Sequence, residues 1–208
     1  SFRLTSQPLK PLVFQGPGGF SQKSRDPNSA SLYYSFTRLQ TKGEMEIAGQ
    51  VYRVTGESWM DKEFSSNVLS DDQSGWDWFS LQLNDDSELM LFRLRDSQGK
   101  TDFSWATHIS PGGKATYLKD QGWDLVRTDS WESPSGAVYP SRWELSVPSV
   151  ASDLEVVPAF PDQENRSRLV PGLNYWEGSV RVLGPDGVPV GRGYAELTGY
   201  HQSGRLPL

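Results

Sequence analysis

Short runs of alternating apolar and polar residues fill most of this chain. No segment carries apolar positions at the three-to-four-residue spacing of a capped amphipathic helix. Residues 32–39, 44–48, 50–55, 76–83, 88–95, 101–109, 115–118, 123–128, 142–147, 154–158, 175–183 and 188–200 read as strands. In the 76–83 run, Trp76, Trp78, Ser80 and Gln82 share one face, and Asp77, Phe79, Leu81 and Leu83 the other. Asn84-Asp85-Asp86-Ser87 has turn composition and returns the chain into 88–95, which predicts a hairpin. Gly43 is expected to break the run before 44–48, and Asp96-Ser97-Gln98-Gly99 and Pro111-Gly112-Gly113 mark further reversals. Residues 2–14 read as one extended strand or strand pair with nothing before it to pair with, as in a chain cut from a longer parent. The polar stretch 162–169, among Pro158, Pro161 and Pro171, predicts a loop with a helical turn crossing the mouth or edge of a sheet. Spacings of roughly 8–12 residues between strands point to an all-β antiparallel barrel or sandwich.

Composition agrees and narrows the chemistry. Gly 20 and Pro 14 supply turns, while Trp 8, Tyr 8 and Phe 9 supply strand formers. A net charge of −6 argues against a nucleic-acid partner. With no cysteine there is no disulfide, thiolate metal site or thiol nucleophile. Two histidines, His108 and His201, do not form the H-x-x-x-H spacing of a zinc hydrolase, so no metal is expected. No G-x-S-x-G elbow supports a serine hydrolase. Gly16-Pro17-Gly18-Gly19 lacks dinucleotide-loop spacing and reads as a loop, so no cofactor is expected. No apolar run approaches the roughly 18 residues of a membrane-spanning helix. Ser1-Phe2-Arg3-Leu4-Thr5 shows no signal-peptide pattern.

A few residues carry candidate chemistry. Trp59, Asp61 and Glu63 alternate and would share one strand face. Hydrating an alkene needs an acid able to protonate carbon, for which a carboxyl kept protonated in an apolar pocket is the natural donor, and aromatic faces stabilise the resulting cation. Asp61 or Glu63 as the acid, with Trp59, Trp76 and Trp78 as the wall, meets that requirement. The plain alternative is a half-exposed strand face with its carboxylates in water. Arg93 and Arg95 share a face offset from Met90, Phe92 and Leu94. They either pair with Asp61, Glu63, Glu177 or Glu196 inside a polar barrel, where they would hold a ligand's anionic head, or they are surface charges. Tyr175 and Glu177, with Glu196 on the last strand, complete the candidate ligand-binding set.

Several segments together resemble one family. They are Ala30-Ser31-Leu32-Tyr33-Tyr34-Ser35, Gly56-Glu57-Ser58-Trp59-Met60-Asp61-Lys62-Glu63-Phe64, Gly75-Trp76-Asp77-Trp78-Phe79 and Leu89-Met90-Leu91-Phe92-Arg93-Leu94-Arg95. Tyr139-Pro140, Tyr175-Trp176-Glu177-Gly178 and Gly193-Tyr194-Ala195-Glu196-Leu197-Thr198-Gly199-Tyr200 continue the series. Their order resembles the AttH-like branch of the carotenoid 1,2-hydratase (hydroxyneurosporene synthase) family of lipocalin-like proteins. The resemblance implies two consecutive lipocalin-like β-barrels. Residues 1–67 would be the last strands of the N-terminal barrel and a bridge, and residues 68–208 the C-terminal barrel. It also implies a secreted, periplasmic or cell-envelope location. The implied function is binding of a hydrophobic small molecule, a lipid or isoprenoid, in a β-barrel cavity. The alternatives are a cofactor-free hydratase, a hydrolase, or an envelope adaptor for a membrane transporter. The expected partners are a hydrophobic ligand and the N-terminal barrel of the parent protein. The hydratase pattern has Asp-His-Asn-Trp where this chain has Asp61-Lys62-Glu63-Phe64, keeping only the Asp. The later hydratase Tyr and Asp fall near Phe92 and Arg93.

Overall fold

Antiparallel pairing arranges this computed structural model, which describes residues 1–65, 69–118, 122–167 and 174–201, into two sheets. The first contains β1 (Phe2–Pro8), β2 (Val13–Phe14), β3 (Phe20–Gln22), β4 (Ala30–Ile47) and β5 (Gln50–Phe64). One 3-10 turn, Pro17–Gly19, lies between β2 and β3. Strand β4 is the spine, taking β1, β2 and β3 along one edge and β5 along the other. Gly43 does not break it. There β1 runs so close that a Cβ would collide with the Arg3 carbonyl, so glycine permits the pairing instead of ending it.

A second sheet holds β6 (Gln73–Leu83), β7 (Glu88–Asp96), β8 (Thr101–Ile109), β9 (Ala115–Leu118), β10 (Asp124–Glu132), β11 (Val138–Val147), β12 (Ala151–Pro158), β13 (Glu164–Arg166), β14 (Asn174–Leu183) and β15 (Pro189–Leu197). Its order is β10-β11-β12-β14-β15-β6-β7-β8-β9, with β13 added on β14. The sheet curls into a half-barrel, because Leu118 on β9 and Leu125 on β10, at opposite ends of that order, join one core. Within the stretch expected to be a loop with a helical turn, Glu164–Arg166 form β13 instead. Glu164, Asn165 and Arg166 pair with Trp176, Tyr175 and Asn174, and the Trp176 indole N–H donates to the Pro161 carbonyl at 2.7 Å. Residues 168 and 169 of that stretch, and the 67/68 domain boundary, lie outside the described residues. No helix among the described residues is long and apolar enough to cross a membrane.

The concave side of the curled sheet is filled. Phe79 meets Trp143 edge-on at 5.2 Å, and Tyr139, Trp176, Leu81, Leu91 and Val182 close around them. The expected hollow inside this barrel is therefore replaced by a packed core: two Trp and a Tyr on core-facing positions occupy the space a guest would need. The convex side of β6, β7 and β15 receives the first sheet. Buried Glu88 accepts from Lys10 at 2.8 Å and from the Arg38 Nε at 2.7 Å, and Arg38 also donates to the Leu83 and Ser87 carbonyls. Glu57 adds Arg38 at 3.0 Å and Arg192 at 2.7 Å, and the Gln82 amide donates to the Thr37 carbonyl. This polar seam fastens one end of the contact between the sheets. The other end stays open.

Candidate functional site

At that open end lies a hollow of about 440 Å³, within the range of small-molecule sites. The first sheet contributes Tyr33, Asp61, Glu63 and Ser65, with Lys23 from the loop after β3. The second contributes Trp76, Trp78, Phe92, Leu94 and Glu196. Strand alternation explains the second set. On β6, Phe79 and Leu81 take the packed core, so Trp76 and Trp78 face the hollow. On β7, Leu89 and Leu91 take the core, so Met90, Phe92 and Leu94 stand on the hollow's side. On β15, Ala195 and Leu197 are in the core, so Glu196 faces the hollow.

The first sheet's contribution depends on a bulge. From the hairpin turn, β4 and β5 pair regularly as far as Leu39 opposite Ser58. One extra β4 residue then shifts the register, and Phe36 stands opposite Met60. Beyond the bulge Tyr33 lies opposite Glu63, and Ser35 opposite Asp61. The Ser31 and Ser35 hydroxyls donate to Glu63 and Asp61 respectively. Gln15, fully buried, donates to the Ser35 oxygen at 2.9 Å, and the Trp59 indole N–H donates to Asp61 at 2.8 Å. The Tyr33 hydroxyl accepts from the Trp78 indole at 3.2 Å, which links the two sheets across the hollow.

The electrostatics are those of a crowded acid group. Glu196 stands opposite Glu177 on the neighbouring strand, and loss of hydration, the Glu177 charge and that of Glu63 push its carboxyl up to about 7 against an opposing Trp76 hydrogen bond. Asp61 keeps a solvent-facing edge at the mouth. Loss of hydration nevertheless raises it, while its bonds from Ser35, Trp59 and Tyr33 pull the other way. Burial, then Asp61 and Glu63, hold the Tyr33 hydroxyl well above the phenol range and so neutral. Lys23 is the lining cation. Its ammonium is 2.6 Å from Glu63 and lies over the Phe92 ring at 4.4 Å and the Tyr33 ring at 5.2 Å. Among the described residues no set of three or more His, Asp or Glu side chains converges to hold a metal ion.

Of the residues singled out from sequence, Asp61, Glu63, Trp76, Trp78 and Glu196 line this one hollow. Trp59 packs beside it, bonded to Asp61. Tyr175 and Glu177 share Glu196's side of the sheet and stand next to it, with Asn165 donating to Glu177 at 2.8 Å. Arg93 and Arg95 are elsewhere. They project from the opposite face of β7, because their alternation follows Leu89 and Leu91. Arg95 pairs with buried Asp77 at 3.2 Å and lies over the Tyr200 ring at 3.9 Å, while Arg93 donates to the Leu125 carbonyl. Neither reaches the acids of the hollow, and the pairing with Asp61, Glu63, Glu177 or Glu196 is replaced by these contacts. Tyr33, Lys23, Ser31 and Ser35 were not singled out from sequence. Their polar–aromatic alternation ahead of the 56–64 segment is visible there, but the register that aims it is not.

A profile of the AttH-like family matches residues 1–200. The chain belongs to the AttH-like family. This AttH-like chain is 36% identical to an AttH protein of Nitrosomonas europaea whose crystal structure superposes with a TM-score of 0.86, covering 96% of this chain and 61% of that one. Kievitone hydratase of Nectria haematococca shares the fold at 19% identity and a TM-score of 0.76, covering 97% of this chain and 62% of that one. The AttH-like chain thus spans about three fifths of the length of both solved relatives. No curated protein matches it. With these neighbours the architecture is lipocalin-like, and the hollow sits between the two sheets and not within the curled one.

Proposed function

We propose that this AttH-like chain binds an apolar small molecule, of the lipid or isoprenoid kind, in the hollow between its two sheets. The observation that carries this reading is the lining itself. Trp76, Trp78, Phe92 and Leu94 form a continuous apolar wall, and Tyr33, Asp61, Glu63 and Glu196 form a polar rim able to fix one end of a guest. Titrating the tryptophan fluorescence with geraniol, an isoprenoid alcohol, tests it. A saturable change that Trp78→Ala abolishes is expected. Failure to saturate, or an unchanged response in Trp78→Ala, refutes it.

A second reading, acid-catalysed addition of water to an alkene, is favoured by Glu196, whose carboxyl, pushed up to about 7, keeps a share of its proton at neutral pH beside Trp76 and Trp78. The Glu196 O–H would transfer its proton to the less substituted carbon of the terminal double bond, leaving the tertiary cation at its neighbour. Water would then bond to the tertiary cation held against the indole faces, and the proton it releases would go to a rim carboxylate, Asp61 or Glu63, or return to Glu196. The fold shared with a hydratase is consistent with this chemistry. Mass spectrometry of geraniol incubated in oxygen-18 water reads the step directly. A labelled diol formed by the unmodified chain and lost in Glu196→Gln, with geraniol binding retained, supports it. Absence of label refutes it without touching the binding reading.

The first sheet turns Phe14, Phe20, Leu32 and Phe64 outward on one face. That apolar face, together with the longer solved relatives, supports residues 1–64 as part of an N-terminal barrel whose remaining strands cover it.

A further inference from the structure

The acids of the hollow outnumber its cations. Asp61, Glu63 and Glu196 face Lys23, and the two guanidiniums that would welcome an anionic head, Arg93 and Arg95, are held on the far side of β7 by Leu125, Asp77 and Tyr200. An anionic guest would meet repulsion at the rim. Moreover, the hollow already holds an ammonium, because the Lys23 side chain places its charge between Glu63 and the rings of Phe92 and Tyr33 at distances typical of cation–π pairing. Only the side chain is committed to that position. The Lys23 backbone is pinned separately, its N–H donating to the Ser29 carbonyl at 2.8 Å and its carbonyl accepting from the Gln73 amide at 2.9 Å. The four-carbon stem can therefore swing out while the loop stays in place.

We propose that the ligand of this hollow is an organic cation, an amine or quaternary ammonium on an apolar body, whose charged head takes the Lys23 position between Glu63, Phe92 and Tyr33 while its body lies along Trp76, Trp78 and Leu94. The inference rests on the binding reading above and names its ligand class. Lys23 then acts as a tethered stand-in that keeps the cage occupied until a guest displaces it. Ionised Glu196 favours the same guest, so binding strengthens as pH rises through neutrality and protons leave the carboxyl on association.

Isothermal titration of the chain with octyltrimethylammonium, 1-octanol and octanoate, all below micelle-forming concentrations, decides the matter. The ammonium is expected to bind about tenfold or more tightly than octanol, and octanoate not at all. Glu63→Gln should erase the preference for the ammonium over octanol. Lys23→Met should tighten the ammonium several-fold and raise its preference over octanol. Octanol binding as tightly as the ammonium, or an ammonium affinity that Lys23→Met leaves unchanged or weakens, overturns the inference while leaving the binding reading intact. No binding of any of the three overturns both.

Discussion

Replacing Glu196 with glutamine isolates the acid group of the hollow. Glutamine keeps the shape of the neutral carboxyl and cannot ionise. In the folded chain Glu196 is raised from 4.5 to about 7 by lost hydration, then by Glu177 across the strand pair. Between those two values the folded state binds more protons than the unfolded state, so the stability of the unmodified chain falls as pH rises through the window. Holding the ionised form in the fold costs about 3 kcal/mol once pH exceeds the folded value. Near pH 5 only about 1 kcal/mol of that penalty has developed, so from pH 5 to pH 8 the Glu196→Gln variant should gain roughly 2–3 kcal/mol on the unmodified chain. Urea unfolding followed by tryptophan fluorescence at unit pH intervals measures the gap, and a carboxyl NMR titration locates the midpoint. Parallel stability curves, or a gap that narrows with rising pH, would show that Glu196 titrates normally and that the hollow does not desolvate its acids.

The polar seam and the core give further expectations. Glu88→Gln leaves Lys10 and Arg38 without their shared buried carboxylate and should lower unfolding free energy by about 3–5 kcal/mol, read from the urea midpoint. Trp143→Ala removes a fully buried indole packed on Phe79 and should cost about 3–5 kcal/mol, with the native sheet retained by circular dichroism. Ser35→Ala withdraws a donor that favours ionised Asp61, so the Asp61 carboxyl should titrate still higher by NMR. An unmoved or lowered midpoint would mean that Ser35 does not hold that carboxylate.

Alternation was legible wherever the turn beside it was legible. Thr101–Ile109 and Ala115–Leu118 are strands with the limits their pattern predicts, and the hairpin across Asn84–Ser87 pairs Gln82 with Glu88 as turn composition requires. Two local signals misled. Gly43 looked like a break and is a point of close strand approach, and within the polar 162–169 stretch, which read as a loop with a helical turn, Glu164–Arg166 pair as β13 on β14. In both cases the deciding partner is distant in sequence, so a local window does not contain it.

By itself the sequence determined that this chain is all-β and antiparallel, that Trp76 and Trp78 oppose Phe79 and Leu81, and that Asp61 and Glu63 share a face, because side-chain alternation follows from strand geometry alone. Tertiary structure decided which face is filled and which is open. The curl of the second sheet brings Trp143, Tyr139 and Trp176 together and closes its interior, and docking of the first sheet on the convex side creates the hollow there. It also decided what faces the acids. Without the extra residue between Phe36 and Leu39, Tyr34 and Phe36 would stand opposite Glu63 and Asp61. With it, Tyr33 and Ser35 do. A strand's side chains change sides with a one-residue shift, and this shift falls at Thr37 and Arg38, where Arg38 also bonds the buried Glu88 of the other sheet.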